Sequence, residues 1–192
     1  IRYDGIAAAI GYFDYALALD SKDGMALVGK ASASYWLGDF TTTDRILDSF
    51  DAGGFEMPIA LMVRGNSSIF RGRYEDGIAS LHLAIANESG MSNLSYWNAT
   101  LALGYYCLGD FGKALVTVTA SQEFGTQYWL GHLVKIATLA RLGRLEECPA
   151  AIAAYTAEYP GATASENDWM PFTDKAVLQD FLSVLREAGL PE

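Results

Sequence analysis

The chain is poor in basic side chains. It carries 13 Lys and Arg against 23 Asp and Glu in 192 residues, a formal net charge of -10. No Lys/Arg stripe occurs, so the field that draws a protein onto phosphates is missing, and no nucleic-acid partner is expected through this region. Cysteine is scarce too: Cys107 and Cys148 form no CxxC knuckle. That excludes a disulfide framework and points to a reducing, cytoplasmic setting in which both act as small buried apolar residues. No run of about 20 apolar residues is free of Lys, Arg, Asp and His, so no membrane span is expected. There are two histidines, His82 and His132, and no HExxH, GxSxG, P-loop or metal-ligand spacing. Neither catalysis, nor a cofactor, nor a metal is expected of this chain. Asp14, Asp20, Asp23 and the Glu146-Glu147 pair read as solvated faces and helix-end charges.

What the sequence has in quantity is apolar surface, with 51% hydrophobic, 12% aromatic and only 19% charged residues. Such a chain is too apolar for a solvated coil and long enough for a substantial core. It is also self-similar. A glycine followed by a polar residue and an aromatic or Leu recurs as Gly38-Asp39-Phe40, Gly72-Arg73-Tyr74, Gly109-Asp110-Phe111 and Gly143-Arg144-Leu145, at spacings of 34, 37 and 34. Stepping back 34 from Gly38 reaches Asp4-Gly5-Ile6, a degenerate first copy. Five positions after the glycines stand Thr43, Gly77, Ala114 and Cys148, all small; nine after stand Leu47, Leu81, Val118 and Ile152, all bulky. Seven before stand Ala31, Gly65, Ala102 and Ile136. The spacing predicts helical hairpins. Glycine ends one helix at positive φ, a small residue lets the second helix approach, and a large one at i+4 from it fills the gap to the next unit.

These residues resemble the tetratricopeptide repeat, a 34-residue helix-turn-helix unit, over roughly residues 3 to 160. The resemblance implies an all-α superhelical solenoid: an array over residues 1–160 and a loop with a C-terminal capping helix over 161–192. A half repeat at 3–20 is followed by hairpins at 24–51, 57–87, 94–122 and 128–158, ten helices with the tail. The linkers are Asp51-Ala52-Gly53-Gly54, Asn87-Glu88-Ser89-Gly90 and Phe124-Gly125-Thr126, and Pro149 falls early in its helix, where a missing N–H costs little. The usual Trp and Pro anchors are mostly absent, and Phe50 and Tyr155 stand where a small residue is customary. Repeats bury their faces only against neighbours, so opening on half a repeat, without Met, implies further repeats upstream.

In the tail, Trp169-Met170-Pro171-Phe172 forms an apolar anchor, and Thr173 or Asp174 can cap a final helix running to about Ala188. Val177, Leu178, Phe181, Leu182 and Leu185 make one apolar stripe, and Gly189 ends the helix. Pro171-Phe172-x-Asp174, with Phe181-Leu182-x-x-Leu185-Arg186-x-Ala188-Gly189-Leu190-Pro191, resembles the C-terminus of bacterial signalling proteins in which a tetratricopeptide array follows an adenylate/guanylate cyclase domain or, in relatives, a winged-helix DNA-binding domain. That implies a non-catalytic interaction or regulatory module. Its partner would be a protein or peptide, or the upstream domain of the same chain, and a homodimer is compatible because such cyclase domains work in pairs.

Counting along the first helix of each hairpin, the concave lining should hold Tyr35, Trp36, Met62, Asn66, Phe70, Tyr96, Leu103, Tyr106, Leu130, Leu133 and Arg141. This lining lacks the Lys and Asn cluster with which chaperone-tail-binding tetratricopeptide domains clamp a peptide carboxylate; Val28 and Ser32 take part of that place. An open apolar groove of this kind exceeds what a monomer tolerates. A partner segment, upstream chain or a second copy, or tight packing in a strongly curved array would each cover it. A free-standing adaptor and a small-molecule sensor whose groove holds an apolar ligand are the alternative functions.

Overall fold

The computed structural model describes residues 3–53, 57–88, 94–121 and 128–192. The described chain is all-α. Its ten α-helices are α1 (Tyr3–Leu19), α2 (Gly24–Trp36), α3 (Phe40–Gly53), α4 (Pro58–Phe70), α5 (Tyr74–Asn87), α6 (Leu94–Leu108), α7 (Phe111–Ser121), α8 (Trp129–Arg141), α9 (Cys148–Glu158) and α10 (Lys175–Glu187). Short 3-10 turns precede α9 and follow it at Leu145–Glu147 and Ser165–Asn167. The helices fall where the repeat spacing places them, within two residues at each described end. The linker residues Gly54, Ser89, Gly90 and 124–126 lie outside the described residues, as does residue 122 at the end of the third predicted hairpin.

The glycine signature corresponds to one recurring turn. Gly38, Gly72, Gly109 and Gly143 have φ between 72° and 85°. At Gly38 the amide donates to Tyr35 O and the next amide, of Asp39, reaches back to Ser34 O. The same pair of bonds recurs at Gly72–Arg73, Gly109–Asp110 and Gly143–Arg144, and again at Gly189–Leu190 behind α10. This double closure satisfies helix-end carbonyls and requires the left-handed conformation that glycine adopts without strain. The following residue divides the copies. Asp39 and Asp110 accept from the amides of Thr42 and Lys113, three residues on, and so cap α3 and α7. Arg73 and Arg144 make no such cap; Arg144 pairs with Glu147 instead.

Across three of the turns the residue seven before the glycine meets the one five after. The Thr43 hydroxyl donates to Ala31 O at 3.1 Å, and Cys148 Sγ lies 3.9 Å from Ile136 O. In the second hairpin both positions are glycine, and the backbones come closest: a Cβ on Gly77 would sit 2.8 Å from Gly65 O. Small residues at this position therefore set how near the paired helices run. Leu47, Leu81 and Val118 are fully buried nine residues after their glycines, whereas Ile152 is half-buried against the turn at Gly189.

Each helix from α1 to α9 packs on the next in sequence. In addition α2 packs on α4, α4 on α6 and α6 on α8, while α3, α5, α7 and α9 have no mutual packing of that extent among the described residues. The even-numbered helices thus form the inner row and the odd-numbered ones the outer row. The tail does more than cap the last hairpin, as the sequence suggested. Its helix α10 packs on α8, but the segment leading into it reaches back to α2 and α4. Asp174, rather than Thr173, caps α10 by accepting from Ala176 N. The tail then closes on itself, with Ala164 N–H donating to Pro191 O at 2.7 Å.

Candidate functional site

The inner-row helices α2, α4, α6 and α8 bring their C-terminal ends to one side, where the predicted lining meets the tail. Trp169 packs 5.3 Å from Trp36, ring centre to ring centre, and Phe172 meets Phe70 edge-on at 5.0 Å. Phe181 meets Tyr106 edge-on at 5.2 Å. Asp180 pairs with Arg141, whose guanidinium also donates to the Tyr106 hydroxyl. The Thr173 amide and hydroxyl both donate to Phe70 O, at 2.9 and 3.3 Å. Four of the eleven predicted residues, Trp36, Phe70, Tyr106 and Arg141, are therefore occupied by this chain's own C-terminal segment. The groove at this end is self-filled.

The remaining predicted residues divide. Leu103, Leu130 and Leu133 are core, with no exposed surface. Tyr35 and Asn66 are likewise completely buried and form a polar triangle with half-buried Tyr96. Its two hydroxyls lie 2.6 Å apart, and the Asn66 amide donates to both, at 2.6 and 3.0 Å. Loss of solvation pushes the Tyr35 phenol up to about 12, against the lowering effect of the Tyr96 and Asn66 hydrogen bonds. Burial raises Tyr96 well above its ordinary value as well. These tyrosines are neutral donors and acceptors, which suits a structural tie between α2, α4 and α6. Met62 and Tyr96 border a cleft of about 650 Å³ that Tyr12 and Phe13 of α1 also line.

The groups with chemical reactivity are held quiet. Burial, aided by the Asp180 carboxylate, pushes the Cys107 thiol up to about 12, and burial raises Cys148 as well; neither is a ready thiolate. Both are free thiols, Cys148 buried and Cys107 half-buried. His82 shares a 2.7 Å hydrogen bond with the Tyr105 hydroxyl. His132 is buried and stacks on Tyr155 at 5.4 Å, with Nε2 3.5 Å from a Glu158 oxygen. Desolvation outweighs Glu158 and holds its pKa below the usual histidine value, so the ring is neutral at pH 7. Among the described residues no group of three or more His, Cys, Asp or Glu side chains could hold a metal, and no helix is long and apolar enough to cross a membrane.

Sequence reasoning missed a second aromatic assembly. Trp129, at the start of α8, lies 6.1 Å from Trp36 and 5.8 Å from Trp169, so three indoles from α2, α8 and the tail form a triangle. Near it stand Tyr155 of α9 and Tyr159 at the C-cap of that helix, one turn apart, with ring centres 5.4 Å apart. Both groups line one cavity of about 540 Å³. The i, i+4 spacing of Tyr155 and Tyr159 was the only signal in the sequence; the indole triangle joins residues too far apart in the chain for any local pattern to show. No protein-family model matches the chain, and no curated protein or solved structure matches it significantly.

Proposed function

We propose that this chain is a non-catalytic interaction and regulatory module of the tetratricopeptide kind, the C-terminal array of a bacterial cyclase-like signalling protein. The observation that carries the repeat reading is a left-handed glycine turn seen four times, with a close contact between the positions seven before and five after it at three of the turns and a fully buried aliphatic residue nine after it at three. Irregular helical packing has no reason to repeat that turn at intervals of 34 to 37 residues. The cyclase-like reading rests on the resemblance of the tail.

Regulation follows from the filled groove. A partner reaching Trp36, Phe70 or Tyr106 must displace Trp169, Phe172 or Phe181, so it binds only an array whose tail has moved. That difference in affinity is what couples an occupant to an attached output domain. The reading frame that encodes the chain tests the proposal: a cyclase or winged-helix domain ahead of Ile1 is expected. A frame with neither removes the signalling reading and leaves the adaptor. A second reading, a small-molecule sensor, is favoured by the aromatic cavity beside the tail.

A further inference from the structure

The cavity between α2, α8, α9 and the tail has a composition that selects among ligands. Its aromatic lining is the indole triangle of Trp36, Trp129 and Trp169 with Tyr155, Tyr159 and Tyr128, the last beside Trp129. Two carboxylates, Glu158 and Glu166, also line it, together with Ile6 of α1, Pro160, Ala162 and Asn167, and among the described residues the lining contains no Lys or Arg. Both acids are exposed at residue level, so they mark the mouth rather than the floor. The charge of Glu158 is not cancelled by its neighbour, because buried His132 is neutral.

Aromatic faces present negative quadrupolar charge to whatever lies between them, and carboxylates add full negative charge at the entrance. An anion would be repelled by both. A neutral apolar molecule would gain burial but nothing from the acids. A small inorganic cation would lose its hydration without oxygen ligands arranged to replace it. The remaining chemistry is a cation that is itself weakly hydrated and apolar in outline.

We propose that this cavity is a binding site for an organic cation of the quaternary-ammonium class, received by the tryptophan and tyrosine walls and steered by Glu158 and Glu166. The inference rests on the sensor reading and names its ligand class. Because Trp169 belongs to the tail and Trp36 and Trp129 to the array, an occupant touches both sides of the contact that closes the groove. Binding there strengthens the closed arrangement.

The test titrates the whole 192-residue chain with choline and tetraethylammonium, and with 3,3-dimethylbutanol, the uncharged carbon counterpart of choline. Tryptophan fluorescence and calorimetry provide the readout. The expected result is saturable binding of the cations, roughly tenfold tighter than the neutral counterpart. The double substitution Glu158→Gln, Glu166→Gln lies on exposed residues and keeps the walls intact. It should weaken cation binding about five- to tenfold and leave the neutral alcohol within about twofold. Trp129→Leu should abolish both. Equal affinity for choline and its neutral counterpart overturns the cation assignment while the sensor reading stands. Cation binding unchanged in the Gln variant also overturns it. No saturable binding of either probe rejects the cation site; the sensor reading is then decided separately, by thermal shifts with neutral metabolites.

Discussion

The two ends of the molecule treat apolar residues in opposite ways. On α1, Tyr12, Tyr15 and Leu19 are 77%, 68% and 75% exposed. In the C-terminal segment, Met170, Phe172, Phe181 and Leu185 are all buried to within 2%. The residue types are similar; the number of neighbours is not. The main packing of α1 among the described residues is on α2, which leaves these three side chains exposed, whereas the tail lies across the ends of four inner-row helices. In a stacked architecture burial is a property of position in the stack, and hydrophobicity alone does not assign it.

That contrast can be broken most directly at Phe181. Phe181→Ala removes a fully buried ring from between α10 and Tyr106, and a loss of about 3–5 kcal/mol is expected in urea or thermal unfolding. A loss below about 1 kcal/mol would mean that the tail is not part of the cooperative core. Between the ends, Gly77→Ala places a methyl group 2.8 Å from a backbone oxygen and should cost about 1–3 kcal/mol by forcing α4 and α5 apart. Ala114→Ser, at the same place in the next repeat, gives the comparison, since Thr43 already shows a hydroxyl bonding the facing carbonyl there. The smallest effect belongs to α1. Leu19→Ser should change stability by less than about 0.5 kcal/mol in the same assay. A cost matching that of Phe181→Ala would show that the exposed face of α1 is covered in solution.

The repeat was legible because its physics is local. A glycine that must be left-handed, a capping Asp one residue on and a small residue four further on all act within one turn and two helices, and the sequence spacing records them. Tyr155 shows where the reading fails. It looked like a large residue at a position where repeats keep a small one, yet it is buried against His132 on one side and borders the cavity on the other. The course of the tail was hidden for another reason. Its amphipathic stripe showed that α10 would bury one face, but nothing in that stripe distinguishes the end of α4 from the end of α8 as its partner. Of the predicted lining, Trp36, Phe70, Tyr106 and Arg141 meet the tail while Leu103, Leu130 and Leu133 are core, a division that no local spacing records.

The bonds from Thr173 to Phe70 O join residues 103 apart in the chain, while the turns and paired helices join residues within about a dozen positions. During synthesis from the N-terminus, α2 to α4 can therefore assemble well before their cover exists. At translation rates of about 5–20 residues per second, Phe70 waits on the order of 5–20 s for Phe172 to emerge, and Trp36 about a third longer. Through that interval a nascent chain displays an aromatic surface that the finished protein conceals. The segment from Trp169 to Phe181 is the one that ends its exposure to chaperones and to other nascent chains.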